Sequence, residues 1–308
     1  MATEYDVIII GAGPAGLSAG LYAARARRRT LLIEKNVTGG QIALTALIEN
    51  YPGIPEINGF DLGQIMQAQA EKYGMEMAYA TVTGIEPQGR NHLVHTDDGD
   101  YLTKALILTS GADYNRLGVP GEDRLIGFGV SYCATCDAAF FKDDEVAVIG
   151  GGDSALDEGL FVTRYASKVT VVHRRDELRA GALLQKRAFE NPKMDFVWNT
   201  VVEEIEGKDA VESLKLRNVK TGEISHMPVS AAFIFIGHTP NSNLARGLVE
   251  IDSGGHIVVN DWMETNVPGI FAAGDIRTNS ARQVITSAGD GATAAIRADH
   301  YITDEFKE

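Results

Sequence analysis

The sequence predicts an α/β protein containing two copies of one parallel βαβ unit, and three observations carry that expectation. Residues 6–16, DVIIIGAGPAG, and residues 145–155, EVAVIGGGDSA, each run from an apolar, largely β-branched segment into a glycine-rich turn. A second apolar strand follows each turn at a matching distance, TLLIE at 30–34 and KVTVV at 168–172. The copies stand in register, so that Gly11 corresponds to Gly150 and Gly13 to Gly152. A near-continuous apolar run is what a strand needs when both faces of its sheet are covered. With 308 residues, the chain is long enough for two domains, each with its own core.

Each copy has the parts of a Rossmann-like dinucleotide site in order. Gly11 permits the tight turn, Gly13 lets the backbone approach a pyrophosphate, and Gly16 lets the helix pack close to the strand. Pro14 and Ala15 open a helix expected to reach about residue 26, with its first N–H groups turned to the phosphates. Glu34 lies 23 residues beyond Gly11, where an acid binds the ribose hydroxyls of an adenosine. In the second copy Gly150 and Gly152 repeat the first two glycine roles. Asp153 and Ser154 begin the helix there, and Ala155 takes the third place.

The copies differ at the position that selects the nucleotide. Where the first has Glu34, the second has His173-Arg174-Arg175, with Arg179 close behind. A carboxylate accepts hydrogen bonds from a free ribose diol and repels a 2′-phosphate. Guanidinium forks do the reverse, because they pair with phosphate oxygens bidentately. The first site is therefore expected to take FAD or NAD, and the second NADPH.

Both cysteines of the chain fall in Cys133-Ala134-Thr135-Cys136-Asp137. Two thiols separated by two residues can close a small disulfide ring, and Asp137 can handle the accompanying proton. This arrangement suits a reversible redox dithiol. A zinc knuckle would need four ligands, and no second Cys pair or nearby His pair completes one. The formal charge of −14 argues against a nucleic-acid partner. No apolar stretch approaches a membrane span; residues 231–236 are among the longest. The N-terminal segment lacks a basic start and its apolar run at 7–10 is short, so no secretory signal is expected. A cytoplasmic location is expected, where a lone Cys pair is more often catalytic than structural.

A third element lies near the C-terminus. Residues 267–275, VPGIFAAGD, read as a short strand ending at Gly274-Asp275, followed by Arg282-Gln283-Val284 and a small-residue helix over 288–298. An acid at a strand's carboxyl end can hydrogen-bond a ribityl or ribose hydroxyl. The element has no selector of its own, so it is expected to complete one of the two sites. If it completes the first, that domain is discontinuous and the second is inserted in it. Ser110-Gly111-Ala112 ends the apolar strand at 105–108, residues 117–121 read as a crossover linker, and the return lies at 236–241. The acidic tail at 304–308 is expected to fray.

With these residues on the page, the chain resembles the low-molecular-weight thioredoxin reductases, flavoproteins of the pyridine nucleotide-disulfide oxidoreductase group. The resemblance runs over essentially the whole chain. It rests on the glycine turns at 11–16 and 150–155, Gly39-Gly40-Gln41, Glu49-Asn50-Tyr51-Pro52-Gly53 and the Cys-Ala-Thr-Cys-Asp motif. His173-Arg174-Arg175 with Arg179, Ile236-Gly237-His238-Thr239-Pro240-Asn241, Gly274-Asp275 and Arg282-Gln283 complete it. It implies a discontinuous FAD domain, 1–115 with 245–308, and an inserted NADPH domain, 116–244, that carries the dithiol. Gly40, Gln41, Asn50, Gly111, Ala112, Gly274, Asp275, Arg282, Gln283 and Val284 would line the flavin site beside the first glycine turn. Ile236 and Gly237 would join the NADPH site.

The resemblance further implies a homodimer, a large rotation between domains, and electron flow from NADPH to FAD to the Cys133–Cys136 disulfide and on to thioredoxin. Cys136 would face the flavin, Cys133 would attack the substrate disulfide, and Asp137 would shuttle the proton. One departure is Ala138, where the family usually has glycine; the Asp157-Glu158 pair of acids is common at its position. The nearest alternative is the same chemistry on another dithiol carrier, glutaredoxin-like or peroxiredoxin-linked. A ferredoxin-reducing relative would lack the cysteines, and one fed by ferredoxin would have lost the arginines. A non-catalytic dinucleotide sensor is the alternative from a different class, and purified protein that is yellow and bleached by NADPH would exclude it.

Overall fold

The computed structural model describes residues 2–45 and 47–307. The chain forms two compact units, one made of residues up to Asp113 together with those from Thr239, the other of Tyr114–His238. No described helix is long and apolar enough to cross a membrane.

The first unit is built on a seven-stranded sheet. Its parallel part runs Glu76–Tyr79, Thr30–Glu34, Thr3–Ile10, Gly99–Leu108. Gly99–Leu108 serves two neighbours on its other edge. Its first half pairs antiparallel with Asn91–Thr96, and Leu106–Leu108 pairs in parallel with Ile270–Ala272. The strand contributed by the C-terminal segment thus lies in the same sheet as the first glycine turn. Ile8, Ile9, Leu32, Leu106 and Ile107 are fully buried, as the β-branched runs require.

The C-terminal helix, Val284–Glu305, packs along the helix Pro14–Arg25 through small residues. A methyl group placed on Gly291 would lie 1.9 Å from the Ala15 carbonyl oxygen, which is backbone and cannot swing aside. Gly291→Ala should therefore separate the two helices and cost about 1–3 kcal/mol of stability. Thermal unfolding checks this, and an unchanged midpoint would contradict the contact. Asp290, one residue earlier, is buried, accepts two bonds from Arg277 at 2.7 and 2.8 Å, and also accepts the Gly274 N–H at 3.1 Å.

This helix is longer than the small-residue stretch at 288–298, because later residues continue its contacts. Asp299 accepts from Arg28 Nε at 2.6 Å, and Ile302 is buried. Of the tail expected to fray, Asp304 and Glu305 end the helix, with the Glu305 carbonyl accepting a bond from Arg90, while Phe306 and Lys307 lie beyond it. Glu308 lies outside the described residues.

The second unit repeats the design. Its five-stranded parallel sheet runs Met194–Val197, Lys168–Val172, Glu145–Gly150, Ala231–Phe235, Val130–Ser131. The helix Asp153–Val162 packs on it through Ala155, Leu156 and Val162. A three-stranded antiparallel sheet, Thr200–Glu206, Ser213–Asn218 and Ile224–Pro228, completes the unit.

Candidate active site

In the second unit, the short strand Val130–Ser131 leads almost directly into the cysteines. Cys133 and Cys136 are joined as a disulfide with an S–S distance of 2.10 Å. Cys133 is the N-cap of the four-residue helix Ala134–Asp137, so the motif is itself one helical turn. Ser131 holds both ends of that turn. Its hydroxyl oxygen accepts the Cys133 N–H at 3.1 Å, and its O–H donates to Asp137 Oδ2 at 2.6 Å. Burial pushes the Asp137 carboxyl above its ordinary range, and the Ser131 hydroxyl only partly offsets this. A carboxyl so raised keeps its proton closer to neutral pH, which is what a proton donor to a thiolate needs.

Glu158, to which the sequence assigns no role in the chemistry, also touches this turn. It lies on the helix that begins at the second glycine turn and accepts the Ala134 N–H with Oε2 at 3.1 Å. A helical glutamate has no local signature that distinguishes such a contact from a solvated face.

The first glycine turn lies wholly in the first unit. Gly11 has φ +108°, and a methyl there would meet the Thr109 carbonyl oxygen at 2.6 Å, so only glycine fits. Gly13 caps the helix Pro14–Arg25 with no side-chain hydrogen bond to its start, and a methyl on Gly13 would meet nothing within 4 Å. Protein packing therefore does not account for that glycine, whereas a phosphate against the bare helix end does. Glu34 reaches back to the turn. Its Oε2 accepts the Ala12 N–H at 2.7 Å and Oε1 accepts the Asn36 N–H at 2.8 Å, which fixes the carboxylate beside the turn.

The other residues expected at the first site lie in the same unit, and Gly40 and Gly274 touch the turn itself. Gly40 backs Gly13, and Gln41 donates to Asp113 Oδ1 at 2.8 Å, next to Gly111 and Ala112. The Gly111 carbonyl accepts the Asn241 N–H at 2.9 Å. Gly274 stands against Ala15, and Asp275 beside it accepts from Ser280 at 2.9 Å and from Ser287 at 3.4 Å. Burial raises the Asp275 carboxyl, against the lowering effect of both hydroxyls. Arg282 has a left-handed backbone, Gln283 caps the C-terminal helix and Val284 begins it. Asn50 donates to Gln283 Oε1 at 3.2 Å across a sequence separation of 233. The returning C-terminal segment thus packs on the first turn.

The second turn has the same form. Gly150 has φ +151° and crowds the Phe235 carbonyl, while Gly152 is an uncapped helix start with open space at its Cβ position. Ala155 packs under Gly150, and Ser154 is exposed at the helix start. The selector loop folds back onto the turn: the Arg179 N–H donates to the Gly151 carbonyl at 2.7 Å, and the Gly181 N–H donates to Asp153 Oδ1 at 2.7 Å. Arg174, Arg175 and Arg179 are exposed. None of the three enters an ion pair with another described residue, whereas Asp176 between them is paired with Lys220 at 2.6 Å. The run is therefore left with uncompensated positive charge.

His173 differs from its neighbours. It is only 5% exposed, its ring fills the space beside Gly151, and Nε2 lies 3.1 Å from the Glu177 carbonyl. Burial lowers its pKa, so it stays neutral and forms the inner wall of the turn. Ile236 and Gly237 follow the strand Ala231–Phe235, and their carbonyls accept from Asn115 at 3.3 and 3.0 Å.

Residues 5–291 match the pyridine nucleotide-disulphide oxidoreductase family. The thioredoxin reductase of Peptoclostridium litorale is 48% identical over the full length of both chains. The chain belongs to the thioredoxin reductases of that family. The thioredoxin reductase of Bacillus subtilis is 49% identical over 99% of this chain and 96% of its own. A crystal structure of the Streptococcus pyogenes thioredoxin reductase superimposes with a TM-score of 0.95 at 46% identity, covering 99% of this chain and all of that one. The protein is accordingly an FAD-dependent oxidoreductase that uses NADPH. Its residues fit both groups: two bare helix starts behind open glycines, a carboxylate at one turn and unpaired arginines at the other.

Proposed function

We propose that the protein reduces the disulfide of thioredoxin with electrons drawn from NADPH, through FAD and the Cys133–Cys136 pair. The observation that carries this reading is the closed disulfide in one helical turn with a buried carboxyl whose pKa is raised, in a chain related over its full length to thioredoxin reductases. The first unit is assigned to FAD and the second to NADPH. Glu34 binds the adenosine ribose, and Asp275, Gln41, Asn50 and the 282–284 segment serve the flavin half. Arg174, Arg175 and Arg179 take the 2′-phosphate, with His173 supporting the turn rather than reaching the ligand.

FAD, held by the first glycine turn with Glu34 and Asp275, would supply the two-electron relay between NADPH and the disulfide. The chain's own groups do the rest. Breaking the Cys133–Cys136 bond needs two electrons and leaves two sulfurs, one of which takes a proton that Asp137 is placed to give. The Cys133 thiolate then attacks the thioredoxin disulfide, expelling one thiolate. Cys136 attacks the mixed disulfide, frees the second, and restores the internal S–S bond. A homodimer acting in the cytoplasm, where NADPH keeps such a pair cycling, completes the proposal.

Asp137→Asn tests the proton step. The variant should lose about a hundredfold in thioredoxin reduction while flavin bleaching by NADPH persists. The wild-type rate should fall as pH rises through the raised carboxyl pKa, because the proton is then gone, and the Asn variant should lack that limb. A variant with the wild-type rate and pH profile would remove Asp137 from the mechanism. Assays with thioredoxins and glutaredoxins from the same source test the substrate, and reduction of a glutaredoxin alone would overturn it.

A further inference from the structure

We propose that Glu158 is a positioning residue of the dithiol, whose carboxylate anchors the first N–H of the cysteine turn and keeps the reduced pair a strong electron donor. This rests on the reading above that Cys133 and Cys136 carry the electrons. The Ala134 N–H immediately follows Cys133, and Glu158 Oε2 accepts it at 3.1 Å. Cys133 has no side-chain capping bond to that helix start. An N–H at this position would otherwise favour a Cys133 thiolate, as helix starts favour anions. Glu158 consumes that donor and adds a negative charge of its own.

Both effects disfavour the thiolate. The disulfide form is stabilised relative to the reduced pair, so the pair gives up its electrons more readily. The remaining thiolate is also the stronger nucleophile, since nucleophilicity falls as thiol pKa falls. Three further acids belong to the turn or to the helix that carries Glu158. Asp137 lies within the turn, bonded to Ser131. The helix Asp153–Val162 brings Asp153, tied to the Gly181 N–H, and the exposed Asp157 along with Glu158. Next to Cys133, the Tyr132 hydroxyl donates to Glu122 Oε1 at 2.6 Å and accepts from Arg116 at 3.0 Å. Burial raises its pKa, so it stays neutral. Val130–Ser131 and Ala138–Phe141 carry no titratable side chain.

Glu158 also joins the dithiol to the helix that begins at the second glycine turn, five residues after Asp153. A sequence reading has no way to see this, because the contact spans 24 residues and two elements.

Glu158→Gln keeps an acceptor for the Ala134 N–H and removes the charge. The FAD-loaded full chain is reduced with dithiothreitol under argon, and alkylation of Cys133 by iodoacetamide is followed against pH by peptide mass. The alkylation midpoint should fall in the variant, with the Cys133 thiolate fraction below the midpoint rising about threefold to tenfold. In a fixed dithiothreitol redox buffer, more of the variant should be found as dithiol. A purely structural role would lower flavin content or thermal stability and leave both readouts alone. Should the Gln variant fail to retain flavin, Glu158→Ala, which also frees the N–H, must move both readouts the same way. Coincident midpoints, or a rise, overturn the assignment of Glu158. Wild-type protein that cannot reduce its own disulfide with NADPH, while the midpoints still differ, overturns the parent reading and leaves Glu158 standing.

Discussion

Replacing either cysteine should abolish thioredoxin reduction, and the two variants should fail differently. Cys136→Ser retains the attacking thiol and lacks the resolving one, so incubation with thioredoxin disulfide should accumulate a covalent complex that dithiothreitol releases. Cys133→Ser should form no such complex at comparable rate, because the sulfur assigned to the substrate is gone. Turnover should fall to the uncatalysed background in both, since no single thiol can close the internal disulfide that resets the cycle. Non-reducing electrophoresis and mass spectrometry read the result directly. A trapped complex in Cys133→Ser alone would invert the roles of the two sulfurs.

The second large effect concerns the nucleotide. Arg174 and Arg175 are exposed and enter no ion pair with other described residues, so their charge is available to a ligand. A charge-assisted phosphate contact is worth about 1.5–3 kcal/mol. Replacing both with alanine should therefore raise KM for NADPH by roughly two to four orders of magnitude, with non-additivity trimming the upper end. KM for NADH, which has no 2′-phosphate to lose, should change by less than about threefold. Steady-state kinetics with both cofactors settle the comparison. Equal increases for the two would show that the arginines hold the loop rather than the phosphate.

How much of this was legible in the sequence depends on how local each signal is. The strand at 30–34 is predicted to the residue, because the apolar run 31–33, flanked by Thr30 and Glu34 and set at a fixed distance from the glycine turn, leaves few alternatives. The paired glycine turns are equally local, since a positive φ or a close backbone approach admits only glycine. The double pairing of Gly99–Leu108 was not legible, because one strand serving two neighbours has no pattern of its own. The destination of Gly274-Asp275 was left open by the residues themselves. The small-residue face of the C-terminal helix decides it, by letting Gly291 and Gly274 come against Ala15.

The site was legible to the same degree. Cys133, Cys136 and Asp137 are adjacent in sequence, so their chemistry could be read without coordinates. His173 was grouped with the arginines by position, yet its ring turns inward where the loop bonds back through Arg179 to Gly151. The contacts of Glu158 and Asp290 are not visible in the sequence, for a common reason. Each is an acid in a helix, and only the tertiary partner, the Ala134 N–H or the Arg277 guanidinium, separates it from a solvated charge.

The most direct test of the whole account is the stoichiometry of NADPH oxidation when thioredoxin disulfide is the only electron acceptor. Purified FAD-loaded protein should consume one NADPH for each thioredoxin disulfide reduced, and consumption should stop when the disulfide is exhausted. Oxidation of NADPH that leaves the thioredoxin disulfide intact, or that proceeds undiminished in a Cys133→Ser, Cys136→Ser double variant, would contradict it.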